Sequence, residues 1–292
     1  MARRFFVGLL AAFMLLLPGC GRSSDPDKVV MQTLRDIDGV RKVWTMPWLL
    51  RQPDHMFVVE LEKDPSADLL SEVIRAYGSA VRRLPADEVA LYLRWKSGDQ
   101  DREITGFGIS MPSDDQVRAV ADWPTDLTMR AGFYPAQGLV VSVKVADADF
   151  PAQLHRVAGL RLKADQAGVS SDRYQVGWDS TPPVARFDAA FAAAPTVSQL
   201  RVSQSNHEVV IDSITAKWEQ PSDAVRPEME ALVDVWAASP TPLALTLRVG
   251  PDTQAALDNR TCPDPESKLP LTQELWEYAE RPGHRIVLAP DC

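Results

Sequence analysis

The chain has few of the residues that most often carry catalysis. Among its 292 residues are four histidines and three cysteines. His55 and His207 each sit just before a strand-like run, and His284 does the same near the end of the chain. Such turn positions are solvated, whereas His155 lies near the apolar face of a helical segment and reads as packed. No Gly-x-Ser-x-Gly elbow, His-Glu-x-x-His helix, P-loop or EF-hand loop is present, so the mechanisms built on those motifs are excluded. A dinucleotide fold is excluded as well, because no glycine-rich turn follows a strand and opens a helix. Gly106-Phe107-Gly108 lies inside a strand-like run. No cofactor is implied. Basic clusters are also scarce. Lys and Arg total 31 against 40 acidic residues, the net charge is −9, and no basic run is longer than two residues, as at Arg82-Arg83. A nucleic-acid partner needs a basic stripe, so none is expected. The longest apolar run, Phe5 to Leu17, falls short of the roughly 20 residues that span a bilayer.

The amino terminus carries a specific signal. Arg3 and Arg4 precede the apolar run, which ends in Leu17-Pro18-Gly19-Cys20 and passes into the polar Gly21 to Asp25. A basic start, a short apolar stretch and a small residue before the cut describe a secretory signal. With cysteine at the cut, the segment resembles the signal of a bacterial lipoprotein. Leu17, Gly19 and Cys20 match that pattern, and Pro18 departs from it. The resemblance implies removal of residues 1–19, acylation of Cys20 and an extracytoplasmic protein held to the cell membrane by its lipid. Two or three acyl chains anchor stably where one binds only marginally. Removal takes away two arginines and no acid, so the net charge of −9 becomes −11, which favours solubility. The tether from Gly21 to Asp27 reaches only about 23 Å when fully extended, at ~3.3 Å per residue. The folded part therefore rides close to the bilayer.

Export leaves Cys262 and Cys292 as an even pair in an oxidising compartment. A bridge would pin the last residue to the turn-rich Thr261-Cys262-Pro263-Asp264-Pro265. The chain-entropy model gives roughly 3–4 kcal/mol for a loop of about 30 residues. Two free thiols are the alternative. Two cysteines alone make no metal site.

Hydrophobic spacing predicts an α+β protein of repeated small modules, with antiparallel sheets and helices packed on one face. Module 1 covers residues 28–113, module 2 covers 114–187, and module 3 covers 188–292 with a C-terminal insertion. Each module reads helix, strand, strand, helix, strand, strand. In the first, Val40 to Trp44 and Met56 to Leu61 are strands, and Asp64-Pro65-Ser66 opens a helix lined by Leu69, Leu70, Val73, Ile74 and Tyr77. Pro65, Pro151 and Pro221 stand at comparable helix starts, where the missing N–H costs nothing. Trp95 and Trp178 end what read as equivalent third strands, and Val184 to Phe187 reads as a strand. The insertion, Gly250 to Gly283, holds a helix around Leu271, Leu275, Trp276 and Tyr278.

Three acidic clusters remain. Asp99-Gln100-Asp101 reads as a hairpin turn, while Ser113-Asp114-Asp115 and Asp147-Ala148-Asp149 read as helix caps. Eight tryptophans are a high count, and Trp48, Trp123 and Trp276 stand at loops or helix edges. Trp48 and Leu49 belong to the apolar stretch Met46 to Leu50 at a strand-to-strand connection, where turns are normally polar. Exposed aromatics enrich binding surfaces, so Trp48, Leu49, Trp123 and Trp276 are the contact candidates, with core packing as their alternative. These features describe a lipid-anchored, non-enzymatic binding or interaction protein of the cell envelope. Its partner would be an envelope protein or polymer. An envelope hydrolase or small-ligand-binding lipoprotein without a visible motif is the competing class.

Overall fold

The computed structural model describes residues 26–46, 55–85, 89–107, 112–134, 138–160, 164–204, 212–251, 253–258 and 270–281. A helix followed by two strands occurs six times in succession, and a last helix closes the order. The elements are α1 (Pro26–Arg35), β1 (Val40–Met46), β2 (His55–Leu61), α2 (Ala67–Ala80), β3 (Val89–Ser97) and β4 (Gln100–Phe107). Then come α3 (Asp114–Ala121), β5 (Thr128–Tyr134), β6 (Gly138–Lys144), α4 (Phe150–Gly159), β7 (Gln166–Ser170) and β8 (Tyr174–Trp178). The chain continues through α5 (Val184–Ala193), β9 (Gln199–Gln204), β10 (Ser213–Trp218), α6 (Ser222–Ala237), β11 (Ala244–Val249), β12 (Thr253–Asp258) and α7 (Pro270–Ala279).

All twelve described strands form one sheet in chain order, so the class is mixed α+β. Strands within each hairpin are antiparallel, and strands joined through a helix are parallel. The expected separate antiparallel sheets are therefore one mixed sheet. It runs through both module boundaries: β4 pairs with β5 across residue 113, and the boundary at residue 187 falls inside α5. Val184 to Phe187 is the start of that helix rather than a strand. Trp95 lies on the first strand of its hairpin and Trp178 on the second, so they are not equivalent. The positional counterpart of Trp178 is Trp218, at the end of β10.

One register row shows how the sheet is held. Val43, Val59, Leu93, Ile104, Ala131, Val141, Ala167 and Trp178 face one another strand by strand. All are buried, and all share one hydrophobic core with the apolar faces of the helices. The helices thus cover one face of the sheet. Successive crossovers leave strands of opposite direction, advance in the same sense and stay on that face. Their handedness must alternate, so every second crossover takes the hand that parallel units rarely adopt.

Local chemistry sets the helix starts. Ser66 accepts the Leu69 N–H at 3.1 Å, and Ser113 forms a capping box with Gln116. The Asp147–Asp149 cluster does not cap α4 through a side chain. Asp147 instead accepts the backbone N–H of Arg173 at 3.0 Å, tying the helix start to the β7–β8 turn. Ser97 and Gln100 close the β3–β4 hairpin, with Gly98 at φ 59 supplying the left-handed residue.

Candidate binding face

Alternation along the strands fixes what the other face shows. Inward positions are apolar, so the positions between them make up the bare face, which no described helix covers. Across β1 to β5, one register row of that face reads Lys42, Glu60, Arg94, Glu103, Arg130. Charges alternate strand by strand, the arrangement in which cross-strand pairs stabilise. Arg94 reaches Glu60 at 2.7 Å, and Arg130 reaches Glu103 at 2.8 Å. Lys42 and Arg94 also lie over the Trp44 ring, 5.1 and 4.8 Å from its centroid. The hydrogen bond from Arg94, with the nearby cations, holds the Glu60 carboxyl below its usual range. Burial pushes the Tyr92 phenol up, and its hydrogen bond to Glu103 adds to that. A cleft of about 580 Å³ lies over this end of the face, bordered by Glu60, Tyr92, Arg94, Lys96, Asp101 and Glu103. Its charges are largely internally matched, since Lys96 pairs with Asp101 at 2.7 Å.

Beyond β5 the same row changes character. It continues as Ser142, Gly168, Gly177, Ser203 and Ser213. Gly168 and Gly177 face each other, and a Cβ on Gly168 would stand 2.9 Å from the Val176 carbonyl oxygen. The close approach of the two strands demands glycine there. The missing side chains leave a trough of about 300 Å³ bordered by Ser142, Gln166, Ser170, Gln175, Ser203 and Gln204. Its walls combine these hydroxyls and amides with the Asp179 carboxylate and with apolar residues such as Val140 and Trp178. The bare-face aromatic side chains described, Trp44, Tyr92 and Tyr134, lie on β1, β3 and β5.

The residues singled out from sequence are placed as follows. Trp123 is 8% exposed and Trp276 is 9% exposed; both belong to the core, so neither presents a surface to a partner. Trp48, Leu49, Cys20, Cys262 and Cys292 lie outside the described residues, as do His207 and His284. Met46, at the start of the apolar Met46 to Leu50 stretch, is exposed on the bare face. His55 pairs with Asp27 at 3.0 Å, and His155 is not packed but exposed, meeting Asp188 at 2.9 Å. These two sites are separate, and no group of three metal-ligating side chains forms among the described residues. No described helix is long and apolar enough to cross a membrane.

Sequence reasoning missed one buried charge. Arg102 occupies an inward position opposite Trp95 and is buried. Its Nη2 donates to the Pro124 carbonyl oxygen, while its Nη1 has no partner among the described residues. Burial lowers its pKa. The available signal was an arginine in phase with Ile104 on an alternating strand. Its guanidinium fastens the α3–β5 turn from within the core, which makes it structural. No family model matches the chain, and neither a curated protein nor a solved structure matches it.

Proposed function

We propose that the protein is a lipid-anchored, extracytoplasmic, non-enzymatic binding protein of the bacterial cell envelope, and that it works through the bare face of its sheet. The observation that carries this reading is that face itself. It runs across twelve described strands, has no described helix laid over it, and bears a cleft and a trough into which charged, hydroxyl and amide side chains project. Apart from an apolar cluster of Met56, Val58 and Ala90 with Trp44 and Tyr92 on β1 to β3, the face is polar. A polar sheet face is stable in water and presents hydrogen-bonding groups in fixed register to a ligand.

The lipobox-like Leu17-Pro18-Gly19-Cys20 supports the anchoring half of the proposal. The helix–strand–strand order supports reading the fold as a repeat that widens one surface. In the same reading Cys262 and Cys292 form a bridge, which non-reducing peptide mapping would show. Two experiments test the whole. Cys20→Ala should abolish labelling by a palmitate analogue and release the protein from the membrane fraction. A photo-crosslinker at Thr215 on the bare face should capture an envelope partner in intact cells, whereas one at Glu277 on α7 should not. Equal capture from both positions, or from neither, would refute the binding-face reading.

A further inference from the structure

The bare face is electrically unlike the rest of the molecule. The chain is acidic, with 40 Asp and Glu against 31 Lys and Arg. Yet on β6 to β12 the bare-face positions hold four cations, Lys144, Arg201, Lys217 and Arg248, against one carboxylate, Asp258. At the other end of the face every arginine of the ladder has its glutamate. Here Arg201, Lys217 and Arg248 meet no carboxylate among the described residues, and Lys144 reaches only the highly exposed Asp172, at 3.5 Å.

The register adds a second, independent observation. Lys217 and Arg248 are direct partners on parallel strands. Like charges placed opposite each other destabilise a sheet. Arg201 faces Thr215, which puts it diagonally beside Lys217, about 7–8 Å away. Lys144 stands in the same register row as Arg201, joined through Ser170 and Gln175. From β6 to β11 is five strand steps, so this line of cations extends roughly 24 Å at about 4.8 Å per strand. Between the cations lie hydroxyl and amide groups: Ser170, Gln175, Thr215 and Thr246.

We infer that this half of the bare face binds a linear acidic polysaccharide lying across the strands. The length of the cationic line fits an extended chain with repeated negative groups better than a single small anion. The interleaved hydroxyls and amides suit sugar hydroxyls. A single-stranded nucleic acid would want aromatic stacking platforms, and none stands at the described bare-face positions of β6 to β12. An anionic bilayer is a plane that would also meet the acidic remainder of the molecule, whereas a chain can follow the line alone. The inference rests on the reading of the bare face as the binding surface.

The experiment uses the full chain without its signal and with Cys20→Ala, so that it is soluble. Binding is measured at 50 and 200 mM salt to two hydroxyl-rich polyanions, polygalacturonate and poly(glycerol phosphate), which separate carboxylate from phosphate recognition. Neutral dextran, duplex DNA and anionic phosphatidylglycerol vesicles are run alongside. At least one of the two hydroxyl-rich polyanions should bind, with affinity falling tenfold or more as salt rises, and dextran should not bind. Arg201→Gln/Lys217→Gln/Arg248→Gln should cut affinity at least tenfold while its thermal unfolding midpoint is no lower than the parent's, since relief of the Lys217–Arg248 repulsion favours the folded sheet. Arg118→Gln, on helix α3, should bind like the parent. The proposal is overturned if neither polymer binds, if the triple variant binds as the parent does, or if DNA or vesicles bind more tightly than both polymers at equal salt. Loss of the proposal with in-cell capture at Thr215 intact would leave the binding face standing and remove only its glycan partner.

Discussion

The indole rings of Trp236 and Trp276 meet edge to face, with centroids 5.3 Å apart and planes at 86°. The contact fastens α7 onto α6, and Trp236 is itself held by a 2.7 Å hydrogen bond from its Nε1 to the Leu243 carbonyl. Trp276 is therefore a core-closing residue. Trp276→Ala should cost about 3–5 kcal/mol, the range for emptying a buried aromatic site. Urea unfolding measures it, and a loss below about 1 kcal/mol would mean that α7 is not part of the cooperative core. Trp123→Ala should behave in the same way for the α3 end.

Tyr77 offers the opposite expectation. It is fully buried on α2, packs edge to face on Phe57 at 5.9 Å, and its hydroxyl has no partner among the described residues. Burial pushes its pKa up. Removing the hydroxyl keeps the ring contact and discards an unsatisfied polar atom. Tyr77→Phe should leave stability unchanged or raise it by about 1 kcal/mol. A loss of similar size in chemical denaturation would show that the hydroxyl is bonded after all.

Gly138 opens β6 at φ 69, a conformation other residues adopt only with strain. A Cβ there would stand 2.2 Å from Oδ2 of Asp165, the same oxygen that accepts the Leu139 N–H at 2.7 Å. Gly138→Ala should destabilise by roughly 1–3 kcal/mol through backbone strain, with the displaced Asp165 adding to it. Gly159, where a Cβ would meet nothing within 4 Å, serves as the control.

Three carboxylates are held below their usual range. The Arg94 hydrogen bond does this to Glu60, the Arg156 fork to Asp126, and a hydrogen bond from Ser171 to Asp147. A depressed folded pKa means that the contribution is complete above the unfolded value, near pH 4. It is lost as pH falls through the lower folded value. Stability should thus be flat through neutral pH and decline below about pH 4. Because Asp126 is exposed and Glu60 and Asp147 are only partly buried, the decline should shrink in high salt. Acid titrations of the unfolding midpoint at low and high salt check both statements. A decline that begins near pH 6 would overturn the assignment to these three carboxylates.

Much of the fold was legible in local chemistry. The helix around Leu69, Leu70, Val73, Ile74 and Tyr77 announced itself by spacing, and Ser66 and Ser113 by cap position. Most strands announced themselves by β-branched and aromatic runs. Three elements did not. β7 is Gln166-Ala167-Gly168-Val169-Ser170, with glycine at its centre, and β12 is rich in alanine and leucine. Both are strands because neighbours supply their hydrogen bonds on the sheet. Val184 to Phe187 has strand-like composition yet turns as helix α5, whose Phe187 stacks on Phe191 and packs at a tilt against Phe150. In each case tertiary pairing overrode a propensity worth about 1 kcal/mol at most.

The sequence by itself determined the acidic charge, the α+β class and the alternation that makes one sheet face apolar. These are properties of composition and of periods of 2 and 3.6 residues, and they need no partner. Only the tertiary structure decided that the hairpins join into one sheet, which residues share a register row, and which tryptophans the core takes. Register decides that Arg94 stands between Glu60 and Glu103, while Lys217 stands beside Arg248. A one-residue slip would send each of these side chains to the opposite face. The partners lie on separate strands, so their meeting follows from long-range packing that no local pattern encodes.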